Sequence, residues 1–475
     1  MKIGNEKKVK TSDVGDFSET KKFKVLFCGN VEGNNNKFYC LELQHNPKSG
    51  AYRLFSHYGR LGLSEVFGVK DDTKETPNKP ITDFAFLEKE FDSIIKSKLR
   101  GKSIKDDRGL EESRRENYEE VSTFSPKVGS PNIRGKSVQV TSTTKQAVDV
   151  STISNQKIVK LINQIVEENI HNITSLTSLT LTSNGFETPL GPVTKEQVQK
   201  AREVLTTLKS KLVKDKIDPD VSEVRLANNR YYSLIPHAFG HKIEQSDWIL
   251  ESNKLLQEFD LLDQLESAVQ MGSAMKQNAS QRLNALGAEI DELVDSNEFE
   301  RLRKYVETSK ASNHQHSDVW KWKVKNIFTL KIPHVHSKFE SVKPKYGNVK
   351  ELFHGSRNCN ILSIVKNGLI IPPFNPGQMA GRMFGDGIYG ASNSTKSLNY
   401  STGWWTNNGN KHPNAFLFIV NFAMGKAYET KSTISKPPSG HDSVWARSGG
   451  GLYNDEFIVY STNQATITHL IEMEK

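Results

Sequence analysis

Apolar residues alternate with polar ones near both ends of the chain and recur at three- and four-residue spacing through its middle, which predicts strands, then helices, then strands again. Phe23-Lys24-Val25-Leu26-Phe27, Phe38-Tyr39-Cys40-Leu41-Glu42-Leu43 and Tyr52-Arg53-Leu54-Phe55 are β-rich runs divided by turn residues at Gly33-Asn34-Asn35-Asn36 and Gly59. A helix over 81 to 99, with Phe84, Phe86, Leu87, Phe91, Ile94 and Ile95, closes one face of that sheet. Residues 121 to 155, rich in Ser, Thr, Pro, Gly and Gln, read as a strand end and a flexible connection. From Gln156 the period changes. Helical stripes run through Ile158, Leu161, Ile162, Ile165 and Val166, through Val198, Ala201, Leu205, Leu208 and Leu212, and through Leu255, Leu256, Phe259, Leu262 and Leu265. Thr194 with Gln197 predicts a capping box ahead of the second stripe. After a helix at 296 to 307, Trp320, Trp322, Val324, Phe328 and Leu330 fall on one face of a strand with Lys321, Lys323 and Lys325 on the other. The runs 415 to 420 and 457 to 460 add further strands. No repeat of solenoid or propeller length is present.

The expected architecture is therefore α+β and multidomain: a flexible tail at 1–20, a small antiparallel sheet with a helix at 21–133, a linker at 134–154, an all-α unit at 155–272 and a mixed, mostly-β domain at 273–475. Length fits several units, each with its own core: the chain has 475 residues. The N-terminus lacks the apolar stretch of a secretory signal and no run is long enough to cross a bilayer, so an intracellular protein is expected. Cys28, Cys40 and Cys359 lie far apart and form no CxxC pair, which argues against a disulfide framework and a zinc site. The net charge of +9 favours an anionic partner without naming it.

Three segments carry candidate chemistry: Leu352-Phe353-His354-Gly355-Ser356-Arg357, Phe384-Gly385-Asp386-Gly387-Ile388-Tyr389-Gly390 and Glu456-Phe457-Ile458-Val459-Tyr460. The glycines around 385 make neither GxGxxG nor a phosphate loop ending in Gly-Lys-Ser/Thr, and no GxSxG surrounds Ser356, so dinucleotide-fold, phosphate-loop and serine-hydrolase readings are poor. His354, Tyr389 and Tyr400, each taken alone, read as packing residues. Glu456 differs, because an acid opening a buried strand loses hydration unless it has a partner or a task.

Taken in order, these segments resemble the catalytic domain of the poly(ADP-ribose) polymerases, with their His-Tyr-Glu signature. Arg303-Lys304-Tyr305-Val306, Met383-Phe384-Gly385, Lys396-Ser397 and Asn399-Tyr400 add to the match. Pro189-Leu190-Gly191 and Asn229 to His237 resemble the helical regulatory domain of the DNA-dependent members, and Tyr58-Gly59-Arg60 resembles the WGR motif with Tyr for Trp. The resemblance implies NAD+ as substrate without a metal, damaged DNA ends or nicks, acceptor proteins including the chain itself and a possible accessory subunit as partners, no membrane partner, and a nuclear location. It implies a DNA-break-activated poly-ADP-ribosyltransferase; mono-ADP-ribosylation and a non-catalytic DNA-end scaffold are the alternatives.

Site roles follow from the resemblance. Glu456, with His354 and Tyr389, would be catalytic. Gly355 and Ser397 would hold the nicotinamide amide, Tyr400 and Tyr389 would enclose its ring, and His354 with Ser356 would meet the adenosine ribose. Met383 and Lys396 would face an acceptor ADP-ribose. Tyr58 and Arg60 would serve DNA sensing and its communication, with the lysines from Lys96 to Lys105 as phosphate contacts; Lys7, Lys8 and Lys10 could form a nuclear signal. Two departures stand out. Asp455 is inserted before Glu456, leaving open which acid faces the site, and Ile370 and Arg382 occupy positions where Arg and Tyr are common.

Overall fold

The computed structural model describes residues 1–9, 16–30, 35–60, 65–100, 118–120, 153–183, 185–188, 191–237, 239, 245–371, 383–402 and 413–475. Contacts divide the chain into two compact units: residues 1–145, 174–211 and 218–250 form one, and 146–173, 212–217 and 251–475 the other. No helix among the described residues is long and apolar enough to cross a membrane.

In the first unit, strands β1 (Lys7–Val9), β2 (Glu19–Asn30), β3 (Asn35–His45), β4 (Tyr52–Arg60), β5 (Glu65–Lys70) and β6 (Glu119–Glu120) make an antiparallel sheet in the order β1-β5-β4-β3-β2-β6. Helix α1 (Phe84–Arg100) buries Leu87, Phe91 and Ile95 against Leu26, Tyr39, Leu41, Leu43 and Leu54 of one sheet face. The N-terminal segment, expected as a flexible tail, contributes an edge strand. Lys7 pairs with Val69 across the ladder, Gly4 N–H donates to the Asp72 carbonyl and Lys7 Nζ lies 2.8 Å from Asp71 and 3.0 Å from Asp72.

The middle of the chain forms α2 (Gln156–Leu176), α3 (Lys195–Ser210), α4 (Ser222–Leu234), α5 (Ser252–Met271) and α6 (Ala279–Leu286). The stripes at Ile158, Leu161, Ile162, Ile165 and Val166, and at Val198, Ala201, Leu205 and Leu208, are buried. Two expectations need correction. The stretch is not all helix: Thr180–Thr182 (β7), Gly185–Thr188 (β8) and Gly191–Pro192 (β9) form a small antiparallel sheet, as β-branched Thr beside a Gly-broken turn favours. Thr194 caps α3 through Gln197 N–H, but the Gln197 side chain donates to the Leu234 carbonyl, so the reciprocal half of the box is absent. Pro189, Leu190 and residues 134–152 of the expected linker at 134–154 lie outside the described residues.

The C-terminal part of the second unit packs two sheets. The first runs β10 (Glu289–Glu292), β11 (Lys323–Lys331), β18 (Ala465–Glu474), β14 (Asn414–Ala423) and β12 (Val349–Gly355) in that order, all antiparallel. The second runs β13 (Ile388–Gly390), β17 (Glu456–Val459), β16 (Ser443–Ala446) and β15 (Ala427–Thr430), with β15 parallel to β16. Helices α7 (Ser296–Thr308), α8 (Pro333–Tyr346), α9 (Ile361–Asn367) and α10 (Ser394–Ser401) flank them. Leu302, Val306, Phe353, Leu398, Leu417, Ile419 and Ile471 share one core. The alternation expected from Trp320 fails in two places. Asp318–Lys321 is a 3-10 turn, and the register shifts between Val324 and Asn326, so that Ile327 and Phe328 are both buried.

Candidate active site

His354 and Gly355 end β12, Tyr389 lies on β13, and Glu456 opens β17. The two sheets are stitched at Phe353 and Ala391, whose N–H groups each donate to the other's carbonyl, at 2.9 and 3.0 Å. That stitch sets His354 beside Tyr389: the imidazole Nδ1–H donates to the Tyr389 carbonyl over 2.8 Å. A carbonyl can only accept, so Nδ1 carries the proton. Burial pushes the imidazole below its usual range against the opposing pull of that bond. In the neutral ring Nε2 is then an acceptor, suited to a sugar hydroxyl.

Gly355 exists for space. A Cβ there would sit 1.8 Å from the Ser397 carbonyl oxygen and 2.9 Å from Ser401 Oγ. Its absence lets β12 lie directly on α10, which carries Lys396, Ser397 and Tyr400. Ser397 is buried, and Ser401 Oγ donates to the Phe416 carbonyl, anchoring α10 to β14. The Tyr389 hydroxyl donates to the Gly385 carbonyl at 2.8 Å and accepts from Phe384 N–H at 3.1 Å, so the ring is held at its hydroxyl end. Met383 and Tyr389 pack on Phe384 and Ile458. Ser356 Oγ accepts from Asn360 Nδ2 at 3.2 Å.

Glu456 is 4% exposed, and its Oε1 lies 2.8 Å from Lys396 Nζ. The same ammonium donates to the Asn454 carbonyl over 2.8 Å. Burial pushes the Glu456 carboxyl up, and the Lys396 charge with its hydrogen bond holds it partly down. Asp455 is turned elsewhere, onto Trp445 Nε1, Arg447 Nε and Ser448 N–H. The structure therefore brings His354, Gly355, Tyr389, Lys396, Ser397 and Glu456 together around two sheet edges and one helix. Arg382, with the rest of 372–382, lies outside the described residues, and Ile370 is exposed.

Sequence reasoning missed the polar face that α5 turns toward this region. Asp260, Gln264 and Ser267, four and three residues apart, share one helix face. Asp260 pairs with Arg357 Nη2 at 2.5 Å, Gln264 Nε2 donates to Asn360 Oδ1 at 2.8 Å, and Ser267 Oγ meets Ser363 Oγ at 3.0 Å and accepts from Asn367 Nδ2 at 3.0 Å. No motif marks such a seam. Its one signal in the sequence is that four-and-three spacing of polar residues, which the apolar stripe of the same helix overshadows.

Residues 296–452 match the family model of the poly(ADP-ribose) polymerase catalytic domain, 154–295 that of the poly(ADP-ribose) polymerase regulatory domain and 25–103 that of the WGR domain. The chain belongs to the poly(ADP-ribose) polymerase family. Among curated relatives, this polymerase-family chain is 28% identical to a poly [ADP-ribose] polymerase 1 of Arabidopsis thaliana, over 61% of this chain and 32% of that protein. It is 26% identical to poly [ADP-ribose] polymerase 1 of Gallus gallus over 94% of this chain and 44% of that protein, and 26% identical to the Drosophila melanogaster poly [ADP-ribose] polymerase over 95% and 45%. The chain thus spans under half the length of these relatives.

In the WGR region of this family member, Tyr58 stacks on Tyr39 with ring centroids 5.8 Å apart and its hydroxyl donates to Glu6 Oε1 at 2.9 Å. Burial and that carboxylate push the phenol upward. Arg60 ends β4, and its side chain lies outside the described set, as do the Arg100 side chain and Lys102 and Lys105. Lys96 is exposed, and Lys98 Nζ lies 4.4 Å from the centre of the Tyr39 ring.

Proposed function

We propose that the protein is an NAD+-dependent ADP-ribosyltransferase of the poly-ADP-ribosylating type, activated by DNA breaks. The observation that carries the reading is the buried Glu456 carboxylate on Lys396, at the mouth of a clamp formed by β12, β13 and α10. Cleaving the bond between nicotinamide and ribose develops positive charge on the ribose ring. A carboxylate bonded to a ribose hydroxyl stabilises that charge more than it stabilises the ground state, which is the condition for catalysis. Glu456 takes this role and orients the acceptor hydroxyl; the Lys396 charge and hydrogen bond oppose the upward push of burial on its carboxyl.

The remaining residues position the dinucleotide. The Gly355 backbone and Ser397 hydroxyl hold the nicotinamide amide, Tyr389 and Tyr400 enclose the ring by offset stacking, and His354 Nε2 accepts from the adenosine ribose with Ser356 alongside. Met383 and Lys396 face the incoming acceptor, which favours chain growth over a single transfer. Regulation rests on the seam between α5 and Arg357, Asn360, Ser363 and Asn367. These contacts are polar, so water satisfies their groups when they open, and each costs little to replace. Tyr58 and Arg60 in the WGR sheet supply the DNA contact, with nearby lysines on phosphates. DNA and acceptor proteins as partners imply a nuclear protein.

Labelled NAD+ incubated with the full chain, with and without nicked 5′-phosphorylated duplex, tests the reading. Incorporation that needs DNA and falls on the order of a hundredfold or more in Glu456→Gln is expected. Full activity in Glu456→Gln overturns the assignment of the acid, DNA-independent incorporation overturns the regulation, and a single ADP-ribose per site on gels overturns polymer formation.

A further inference from the structure

The residue inserted next to the acid has a task of its own. Asp455 Oδ2 accepts from Trp445 Nε1 at 2.9 Å and lies 3.1 Å from Arg447 Nε, while Oδ1 accepts from Ser448 N–H at 2.7 Å. The indole it grips is fixed on other sides too. Trp445 stands directly opposite Phe457 in the β16–β17 ladder and stacks on it, centroids 5.3 Å apart at 25°. The Arg447 guanidinium lies 4.3 Å from the Trp445 ring centre and the Lys350 ammonium 5.3 Å from it.

Asp455, Phe457, Trp445 and Arg447 thus form one block on one face of the sheet. Side chains alternate along a strand, so Glu456, opposite Ala446, is sent to the other face with Ile458. A slip of one residue would exchange them. The turn feeding β17 is closed by paired backbone bonds between Gly449 and Leu452, at 2.8 and 3.0 Å, and offers little side-chain definition of register. Gly449, Gly450 and Gly451 all take left-handed φ angles, 116°, 58° and 97°, in a run with no side chains to set a register. Register must therefore be defined beyond the glycines, and Asp455 is the first residue past them whose side chain hydrogen-bonds a neighbouring strand. The Asn454 carbonyl, one residue earlier, accepts from Lys396, the partner of Glu456.

We propose that Asp455 is a positioning residue that locks β17 in the register turning Glu456 toward Lys396; the proposal rests on Glu456 being the catalytic carboxylate. The lock acts on the acid; the nicotinamide contacts on β12 and α10 lie off the β17 ladder, and Tyr389 on β13, opposite Ile458, is held separately through its hydroxyl on Gly385 and Phe384. Loss of the lock therefore lowers kcat and spares the KM for NAD+.

Steady-state nicotinamide release by the full DNA-activated chain tests this with Asp455→Ala, Asp455→Asn, Trp445→Phe and Glu456→Gln side by side. Asp455→Ala is expected to lower kcat on the order of tenfold to a hundredfold, the size of effect that a displacement of about 1 Å brings, with KM for NAD+ within about twofold. Asp455→Asn keeps an acceptor for the indole and recovers most of the rate. Trp445→Phe keeps the stack, loses the N–H and falls between; it carries the test if Asp455→Ala fails to fold. Wild-type kcat in Asp455→Ala or Trp445→Phe, beside an inactive Glu456→Gln, overturns the lock and leaves the acid in place. A fully active Glu456→Gln overturns the site reading itself.

Discussion

Gly355→Ala tests the close approach on which the clamp depends. The added Cβ would stand 1.8 Å from the Ser397 carbonyl oxygen, 2.6 Å from its carbon and 2.9 Å from Ser401 Oγ, and real Cβ atoms essentially never come within 3.0 Å of such neighbours. Relief requires β12 and α10 to part by a distance on the order of an ångström. The obstacle is backbone, which has no rotamer to yield. Overpacking of this kind costs about 1 to 3 kcal/mol, and a shift of about 1 Å between positioning groups lowers turnover on the order of a hundredfold. Gly355 has no left-handed φ, so the loss comes from space alone. Gly440→Ala separates the two effects: its φ is +82° and a Cβ there meets nothing within 4 Å, so it costs about 1 to 2 kcal/mol of backbone strain and leaves turnover intact. Thermal melting together with kcat/KM for nicotinamide release measures both. Wild-type kcat/KM in Gly355→Ala would refute the reasoning, because the apposition of Gly355 and Ser397 would then carry no positioning.

Lys396→Met removes the cation that holds the Glu456 carboxyl down against burial, so its pKa rises further and the carboxylate is lost on the acid side at a higher pH. The acid limb of the kcat profile is expected to move upward; an unmoved limb with a uniformly lower rate would mean that Lys396 serves the acceptor alone. Asp260→Ala opens one contact of the α5 seam. The side chains of Arg357 and Asp260 are 28% and 37% exposed, so the pair is worth about 1 kcal/mol or less. DNA-independent turnover should rise no more than about fivefold, and an unchanged basal rate would show that the pair restrains nothing.

The elements were legible wherever one face is buried. The stripes of α2 and α3 and the helix near 84 follow from period alone, because packing against one side leaves a regular record, whereas the strands at 38 to 43 and 415 to 420, buried on both faces, were legible as continuous β-rich runs. The 3-10 turn at Asp318–Lys321 and the bulge at Val324 were not legible, since a single irregular residue shifts the phase without changing composition. At the site, residue types in order named the parts, and the resemblance supplied roles. The partners of those parts were beyond reach. The Lys396–Glu456 pair spans 60 positions, Asp260–Arg357 spans 97 and Tyr58–Glu6 spans 52, and nothing local in either member announces the other.

The contacts behind and in front of the His354 strand differ in kind, and that difference bears on control. Behind it, Phe353 is fully buried, stacks on Tyr305 at 4.4 Å and shares the core with Leu302, Leu398 and Ile419. Moving that side exposes apolar surface at about 25 cal/mol per Å². In front, Asp260, Gln264 and Ser267 of α5 meet Arg357, Asn360, Ser363 and Asn367 through amides, hydroxyls and one part-exposed ion pair, beside apolar residues buried on both helices, Leu261 and Leu265 on one and Ile361, Leu362 and Val365 on the other. On the proposed function, these polar pairs are the contacts that water replaces at least cost when the seam loosens, while the apolar side holds the strand in register. For the switch proposed above, opening would begin at the polar pairs in front, and the core behind would keep the geometry of His354 and Gly355.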